Sequence, residues 1–489
     1  MNVSHPQPDA EIAPPTSLYA DRVRVYPKAV DGPVRRIKWL VLLLCLAVYY
    51  AVPWLRWNRG PAAPHQAVLL DIGNERFYFF TIELWPQDIW FLTGLLALGA
   101  VALFLVTSLF GRLWCGYSCP QTVWTDLFML VERKIEGDRN ARIRRDRGPI
   151  GFDKVWRKTA KHAAWLFIAF WTGGAWVMYF ADAPTVVGEF WTGHAAMSVY
   201  VFTFLLTATT YLLAGWAREQ VCTYMCPWPR FQSAMLDENT FIVTYESWRG
   251  EPRGHGRRLG RDGANAMAPL GDCVDCNACV HVCPTGIDIR DGVQLECISC
   301  GLCIDACNHV MAKTGSAPWL ITWDTFARQE TKKSGINPPL RLIRPRTLIY
   351  LGVLTIGVIV LAAGLMLRTT IGLTVAHDRA PLYAQLEDGG LRNGYTVGLI
   401  NKTSQPAEFE LRVVGLPAAA LILSEISPVP ETVAVIAMPA DAIRDLRVLV
   451  QAKSDRLKDG KENFDFVLKN RATGATAIYH ALFIGPHPS

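Results

Sequence analysis

Apolar runs of about twenty residues alternate along this chain with polar, arginine-rich segments. Five runs reach the roughly 20 residues a helix needs to cross a bilayer: approximately 38–56, 88–110, 160–180, 196–216 and 346–367. Trp54, Trp57, Trp85, Trp90, Trp156, Trp191, Trp216 and Tyr350 stand at their ends, where an aromatic belt belongs. After about residue 372 the pattern changes. Short alternating stretches (Tyr395 to Ile400, Ala407 to Val414, Thr432 to Ala437, Asp445 to Val450, Phe464 to Leu468, Ala477 to Phe483) are separated by Gly, Pro, Asn and Asp. Strands at such turn-punctuated spacing predict an antiparallel, immunoglobulin-like β-sandwich over 371–489.

Charge sets an expected orientation. Arg35, Arg36 and Lys38 precede the first run, and the loop after the second carries Arg133, Lys134, Arg139, Arg142, Arg144, Arg145, Arg147, Lys154, Arg157 and Lys158. The segment after the fourth run is also arginine-rich, and Lys332, Lys333, Arg341, Arg344 and Arg346 precede the fifth. The loop 57–87 holds only Arg59 and Arg76, and 182–195 holds no Lys or Arg. The positive-inside bias then puts the N-terminus and the basic loops in the cytoplasm and the C-terminal domain outside it. No cleavable signal peptide is visible, and the polar, proline-bearing first 35 residues read as a disordered cytoplasmic tail. The expected fold is a polytopic α-helical membrane protein with about five transmembrane helices. Residues 36–245 supply the first four, 246–335 an inserted ferredoxin domain, and 336–370 the fifth.

With 51% hydrophobic residues and a formal charge of only +6, spread at the flanks of apolar runs, the composition does not suggest nucleic-acid binding. Cysteine placement carries the chemistry. Of 13 cysteines, only Cys45 stands apart from four tight groups. Cys273-x2-Cys276-x2-Cys279-x3-Cys283-Pro284 is followed by Cys297-x2-Cys300-x2-Cys303-x3-Cys307. In two-cluster ferredoxins the last cysteine of each run ligates the opposite cluster. Cys273, Cys276, Cys279 and Cys307 are therefore expected to hold one [4Fe-4S] cluster, and Cys297, Cys300, Cys303 and Cys283 the other. Zinc does not favour such paired runs. Asn308 stands where the first run has Pro284.

Two further pairs follow the second and fourth runs: Cys115-Gly-Tyr-Ser-Cys119-Pro120 and Cys222-Thr-Tyr-Met-Cys226-Pro227. Each proline is placed to open a helix at its first position. The repeated C-x3-C-P suggests an internal duplication whose four sulfurs could converge at one membrane face. Soft thiolates select Cu(I), zinc or iron–sulfur clusters, so Cys115, Cys119, Cys222 and Cys226 are a candidate catalytic copper site or a third-cluster site. Met225 could add a thioether, although a core methionine is the plainer reading. No Gly-rich nucleotide fingerprint stands in a strand–turn–helix context, so no bound NAD or flavin is expected.

Phe77-Tyr78-Phe79-Phe80, Trp85-Pro86-Gln87-Asp88 and Gly111-Arg112-Leu113-Trp114-Cys115 through Trp124 closely resemble the FixG/CcoG/Rdx family, and the resemblance extends over essentially the whole chain. It implies an accessory protein for assembly of the cbb3-type cytochrome c oxidase in the bacterial inner membrane. Such a protein would be a cupric reductase, an oxidoreductase supplying Cu(I), working with oxidase assembly factors or a copper transporter and fed by a cytoplasmic electron donor the sequence does not name. Two other functions fit the same residues: a NapH-like quinol dehydrogenase subunit, and a non-catalytic assembly scaffold docking through its sandwich.

Overall fold

The computed structural model describes residues 24–60, 63–254, 270–387, 389–403, 405–416, 418–453 and 460–486. The chain forms two compact units, each assembled from separate stretches: 1–49, 100–175 and 197–351 in one, and 50–99, 176–196 and 352–489 in the other.

Among the described residues, four helical segments are long and apolar enough to cross a membrane: Pro33–Trp54, Pro86–Phe110, Met197–Ala217 and Pro345–Met366. Few of their side chains are buried. No residue of Pro345–Met366 is buried, and Leu40, Leu96, Phe204 and Ile359 are all exposed. Surfaces this apolar and this exposed need lipid around them, and only helices or closed barrels satisfy their own backbone there. The run 160–180 departs from expectation. It belongs to a 26-residue helix, Phe152–Val177, whose first turns carry Asp153, Lys154, Arg157, Lys158 and Lys161. Those charges are engaged in the protein: Lys161 Nζ lies 3.1 Å from Glu136 and Lys158 Nζ 2.6 Å from Asp146. Only the second half of that helix is apolar.

The disordered tail expected up to residue 35 is also corrected, as far as it falls on described residues. Residues 1–23 lie outside them. From residue 24 the chain is pinned: Lys28 N–H donates to His281 O at 2.7 Å, Ala29 N–H to an Asp138 carboxylate oxygen at 2.9 Å, and Tyr26 OH to Asp146 at 2.7 Å. Helix Pro33–Ala51 then begins with proline in its first turn, where the missing N–H costs nothing.

In the second unit two sheets face each other. One runs in the order Ser427–Glu431, Ala420–Leu423, Ala442–Lys453, Gly390–Asn401, Ile371–His377. The other runs Val433–Met438, Ala407–Val414, Lys461–Asn470, Thr476–Ile484. All pairings are antiparallel. The six alternating stretches read from sequence fall on these strands to within a residue. Alternation places Ala434, Ile436 and Met438 inward, against Tyr395, Phe409, Phe464, Phe466 and Phe483. The loop 57–87 carries an unanticipated three-stranded meander, Val68–Asp71, Arg76–Phe79 and Ile82–Leu84. Arg76 stacks 4.1 Å from the centroid of buried Trp85 and pairs with Asp441 of the sandwich at 2.6 Å.

Candidate metal centre

Three pieces of the first unit build the site: the ferredoxin segment, the two C-x3-C-P segments, and the first turns of helix Pro33–Ala51. A two-stranded sheet, Ile242–Tyr245 paired with Ile321–Asp324, flanks the ferredoxin segment. Inside it, helix Ala278–Val282 stops before Cys283-Pro284, whereas helix Leu302–Thr314 continues through Cys307. The Asn308 departure explains the difference. Proline disfavours helical backbone in the residue before it and cannot itself continue a helix, while Asn308 stays helical and caps Trp319 N–H at 2.7 Å.

The eight ferredoxin cysteines sort into two neighbourhoods. Burial pushes the Cys307 thiol up to about 12, and the charges of Cys279, Cys273 and Cys276 push it the same way. Burial likewise raises Cys303 far above the ordinary thiol range, with Cys300, Cys297 and Cys283 next in effect. Cys279, Cys283, Cys297, Cys300 and Cys303 line one cavity. The last cysteine of each run thus lies among the first three of the other. Cys279 also bears on Cys303, so the two neighbourhoods adjoin. The outer one opens to solvent at Cys276, while Cys273, Cys279, Cys300 and Cys307 are buried.

The C-x3-C-P segments meet each other and the inner neighbourhood. Gly111, at φ +58°, turns the chain out of the second long helix into a short helix, Leu113–Tyr117, that carries Cys115. Cys119 caps helix Pro120–Glu136, with Pro120 at its first position as expected. The second pair departs from that pattern, since Pro227 is itself the cap of helix Trp228–Met235. Burial pushes Cys115 up to about 12, with Cys119 and Cys222 the largest charges raising it and Cys226 contributing. Cys222 is also raised to about 12, by burial first and then by Cys119 and Cys226. The four sulfurs therefore share one environment. Met225, at 62% exposure, is neither core nor turned into it.

Cys115 and Cys222 pack against the cluster of Ile298, Cys300 and Leu302. The approach is backbone to backbone: a Cβ on Gly116 would lie 2.6 Å from Ile298 O and 3.0 Å from Cys300 Cα, so only glycine fits there. Tyr117 OH donates to Cys300 O at 3.2 Å. From the other side, Asp305 accepts from the backbone N–H groups of Val34 (3.3 Å) and Arg35 (2.8 Å), capping the first long helix from between Cys303 and Cys307. Sequence reasoning gave no separate role to Gly116, Arg112 or Asp305. The glycine between Cys115 and Tyr117 was the available signal.

Thiols raised this far by burial and by one another are protonated when the sites are empty, so metal binding must expel those protons and compensate the charge. Among the described residues, no three His, Cys, Asp or Glu side chains converge tightly enough to coordinate one ion. A cubane offers a separate iron at each of four corners, so its thiolates stand wider apart than the ligands of a single zinc. All thirteen cysteines are unpaired, and all-thiolate sets of this kind fit iron–sulfur clusters.

Long lipid-facing helices, a ferredoxin segment docked on them and thiol pairs at its edge define a membrane-embedded polyferredoxin with an appended sandwich domain. Comparison with known proteins agrees. Residues 217–326 match the family model of a 4Fe-4S dicluster domain, 92–136 that of a 4Fe-4S binding domain, and 361–486 that of the Ig-like fold at the C-terminus of FixG. The nitrogen fixation protein FixG of Rhizobium meliloti is 46% identical, over 95% of this chain and 93% of its own. RdxA of Cereibacter sphaeroides is 48% identical over 81% and 84%, and RdxB of the same organism 44% over 96% and 98%. A crystal structure of a FixG-related protein from Vibrio parahaemolyticus is similar over 24% of this chain and 98% of its own, at 25% identity and a TM-score of 0.21. The chain belongs to the FixG/Rdx family of iron–sulfur membrane proteins.

Proposed function

We propose that this protein is an inner-membrane cupric reductase that supplies Cu(I) during assembly of a cbb3-type cytochrome c oxidase. In this reading Cys273, Cys276, Cys279 and Cys307 hold an outer [4Fe-4S] cluster, and Cys283, Cys297, Cys300 and Cys303 an inner one. When bound, each stores and passes one electron. Copper is reduced near Cys115, Cys119, Cys222 and Cys226, whose thiols stand wider apart in this structure than the ligands of a single ion. The observation that carries the reading is the packing of Cys115 and Cys222 on the cluster of Ile298, Cys300 and Leu302, with Gly116 against the Ile298–Cys300 backbone, which puts a soft-ligand quartet beside the inner thiols. One-electron centres match a one-electron metal reduction, Cu(II) plus one electron giving Cu(I). Thiolates favour the product over the substrate, which helps drive the step.

The protein's own residues divide the remaining work. Exposed Cys276 marks the edge where a cytoplasmic donor would approach. Ile298, Leu302 and Val282 keep water from the inner thiols. The basic loops lie on the cytoplasmic side and the sandwich on the periplasmic side, where an oxidase assembly factor or a copper transporter would meet it. A second reading has a specific support: the 4Fe-4S binding model spans Cys115 and Cys119. In that case the quartet holds a third cluster.

The test is Cu(II) reduction by anaerobically purified, dithionite-reduced protein with excess reductant removed. Replacing Cys115, Cys119, Cys222 and Cys226 together by serine should abolish Cu(I) formation while the ferredoxin iron stays. Undiminished Cu(I) formation would remove the quartet from the function.

A further inference from the structure

Between the quartet and the inner cysteines lies one buried cation, Arg112, only 4% exposed. Its guanidinium donates to Cys297 O at 3.2 Å, to Leu295 O, and to Pro229 O at 2.7 Å. Leu295 and Cys297 belong to the loop carrying the inner thiols. Pro229 follows the second C-x3-C-P segment, and Arg112 itself precedes Cys115 by three residues. One side chain therefore clamps all three strands of the junction. No carboxylate pairs with Arg112 among the described ion pairs, and its Nε–H is buried without a hydrogen-bond partner. Burial disfavours its charge most strongly, and the neighbouring Cys297, Cys115 and Glu296 act the other way.

We propose that Arg112 is a positioning residue that couples the copper quartet to the inner cluster site, its fixed positive charge making both easier to reduce and its fork holding them together. The inference rests on the reading of the quartet and ferredoxin cysteines given above. The sign follows from charge. Reduction adds one electron to a site already ringed by thiolates, and a buried cation stabilises that extra charge more strongly than water-screened groups would. Burial of the inner thiols works the other way, because a low-dielectric surround disfavours the added charge. Without a cation, the inner site would be the harder of the two ferredoxin sites to reduce, and electrons would stall at the outer one. When the electron leaves for copper, one Cu(II) becomes one Cu(I), and the proton inventory of the junction is unchanged because arginine does not titrate.

Lys38 gives the control. It is also buried, pairs with Asp126 at 3.5 Å, and its charge bears on Cys300. Its charge acts on the inner site and is not among the main charges acting on Cys115.

The experiment is a potentiometric titration of the intact purified protein, followed by electron paramagnetic resonance, for Arg112→Gln, Arg112→Lys and Lys38→Met. Cu(I) retention by the same proteins is read against a chromogenic Cu(I) chelator. For Arg112→Gln, the equilibrium for reducing the inner site should fall at least tenfold, about 59 mV for one electron. Its Cu(I) retention should fall with it, and the outer site should not move. Lys38→Met should lower the inner midpoint alone. Arg112→Lys should keep the wild-type midpoint, since it keeps the charge. An iron-replete Arg112→Gln protein with an unchanged inner midpoint would overturn the proposal. Should that variant lose iron, Arg112→Lys decides: a wild-type midpoint upholds the assignment, and a midpoint displaced toward the negative overturns it. The midpoints are measured without copper, so a failure here is distinct from a failure of the quartet to reduce Cu(II).

Discussion

Replacing Cys283 by serine should remove the iron of the inner site and leave the outer one, although Cys283 belongs to the same run as Cys273, Cys276 and Cys279. Replacing Cys307 should do the converse. Each variant should lose about four irons per chain, because a cubane deprived of one thiolate in a buried site has no substitute ligand at hand. The expectation comes from the neighbourhoods: Cys307 lies among the outer three sulfurs, while Cys283 shares the cavity of Cys297, Cys300 and Cys303. Iron analysis and the spectrum of the surviving site, compared with Cys276→Ser and Cys300→Ser, check it. If Cys283→Ser spares the inner signal and removes the outer one, the crossed ligation is wrong.

The second large effect lies off the sulfur sites. Asp126, 1% exposed, receives a forked pair of bonds from Arg35, with contacts of 2.7 and 3.1 Å, and stands 3.5 Å from Lys38. Burial pushes its carboxyl up, but Lys38 and Arg35 outweigh that and hold it below the ordinary range. A depressed folded value means the stabilisation is complete at neutral pH and is lost only as pH falls through that value. Asp126→Asn leaves two buried cations without a counter-charge and should cost about 3–5 kcal/mol. Exchanging all three residues for apolar ones of similar volume should cost far less, since the desolvation of every charge is then avoided. Thermal unfolding of the detergent-solubilised proteins compares them. The single variant also loosens the first turn of helix Pro33–Ala51, which Asp305 caps, so its inner site should release iron sooner on heating.

The two C-x2-C-x2-C-x3-C runs were legible because iron–sulfur ligation is local: three thiolates must come from one tight loop, and spacing records that. The sandwich strands were legible for the same reason, since alternation along a strand needs no knowledge of its partner. What the sequence concealed was long-range. Arg35 and Lys38 read as topology signals flanking an apolar run, yet their side chains are buried on Asp126, ninety residues away. Lys154, Arg157 and Lys158 read from sequence as loop charges, yet they lie in helix Phe152–Val177, where Lys158 pairs with Asp146 and Lys161 with Glu132 and Glu136. The strands Ile242–Tyr245 and Ile321–Asp324 are four residues each, too short for any period to show, and they exist because each supplies the other's hydrogen bonds. Gly116 and Arg112 carried no chemistry of their own. Their importance appears only once the Ile298–Cys300 loop is seen against them.

Anaerobic purification with metal analysis, followed by paramagnetic resonance after dithionite, tests the central claim most directly. Two cubanes on the eight ferredoxin cysteines predict about eight irons per chain with a reducible signal, rising to about twelve if the quartet holds a third. Zinc in place of iron, with no paramagnetic signal on reduction, would contradict the account at its root.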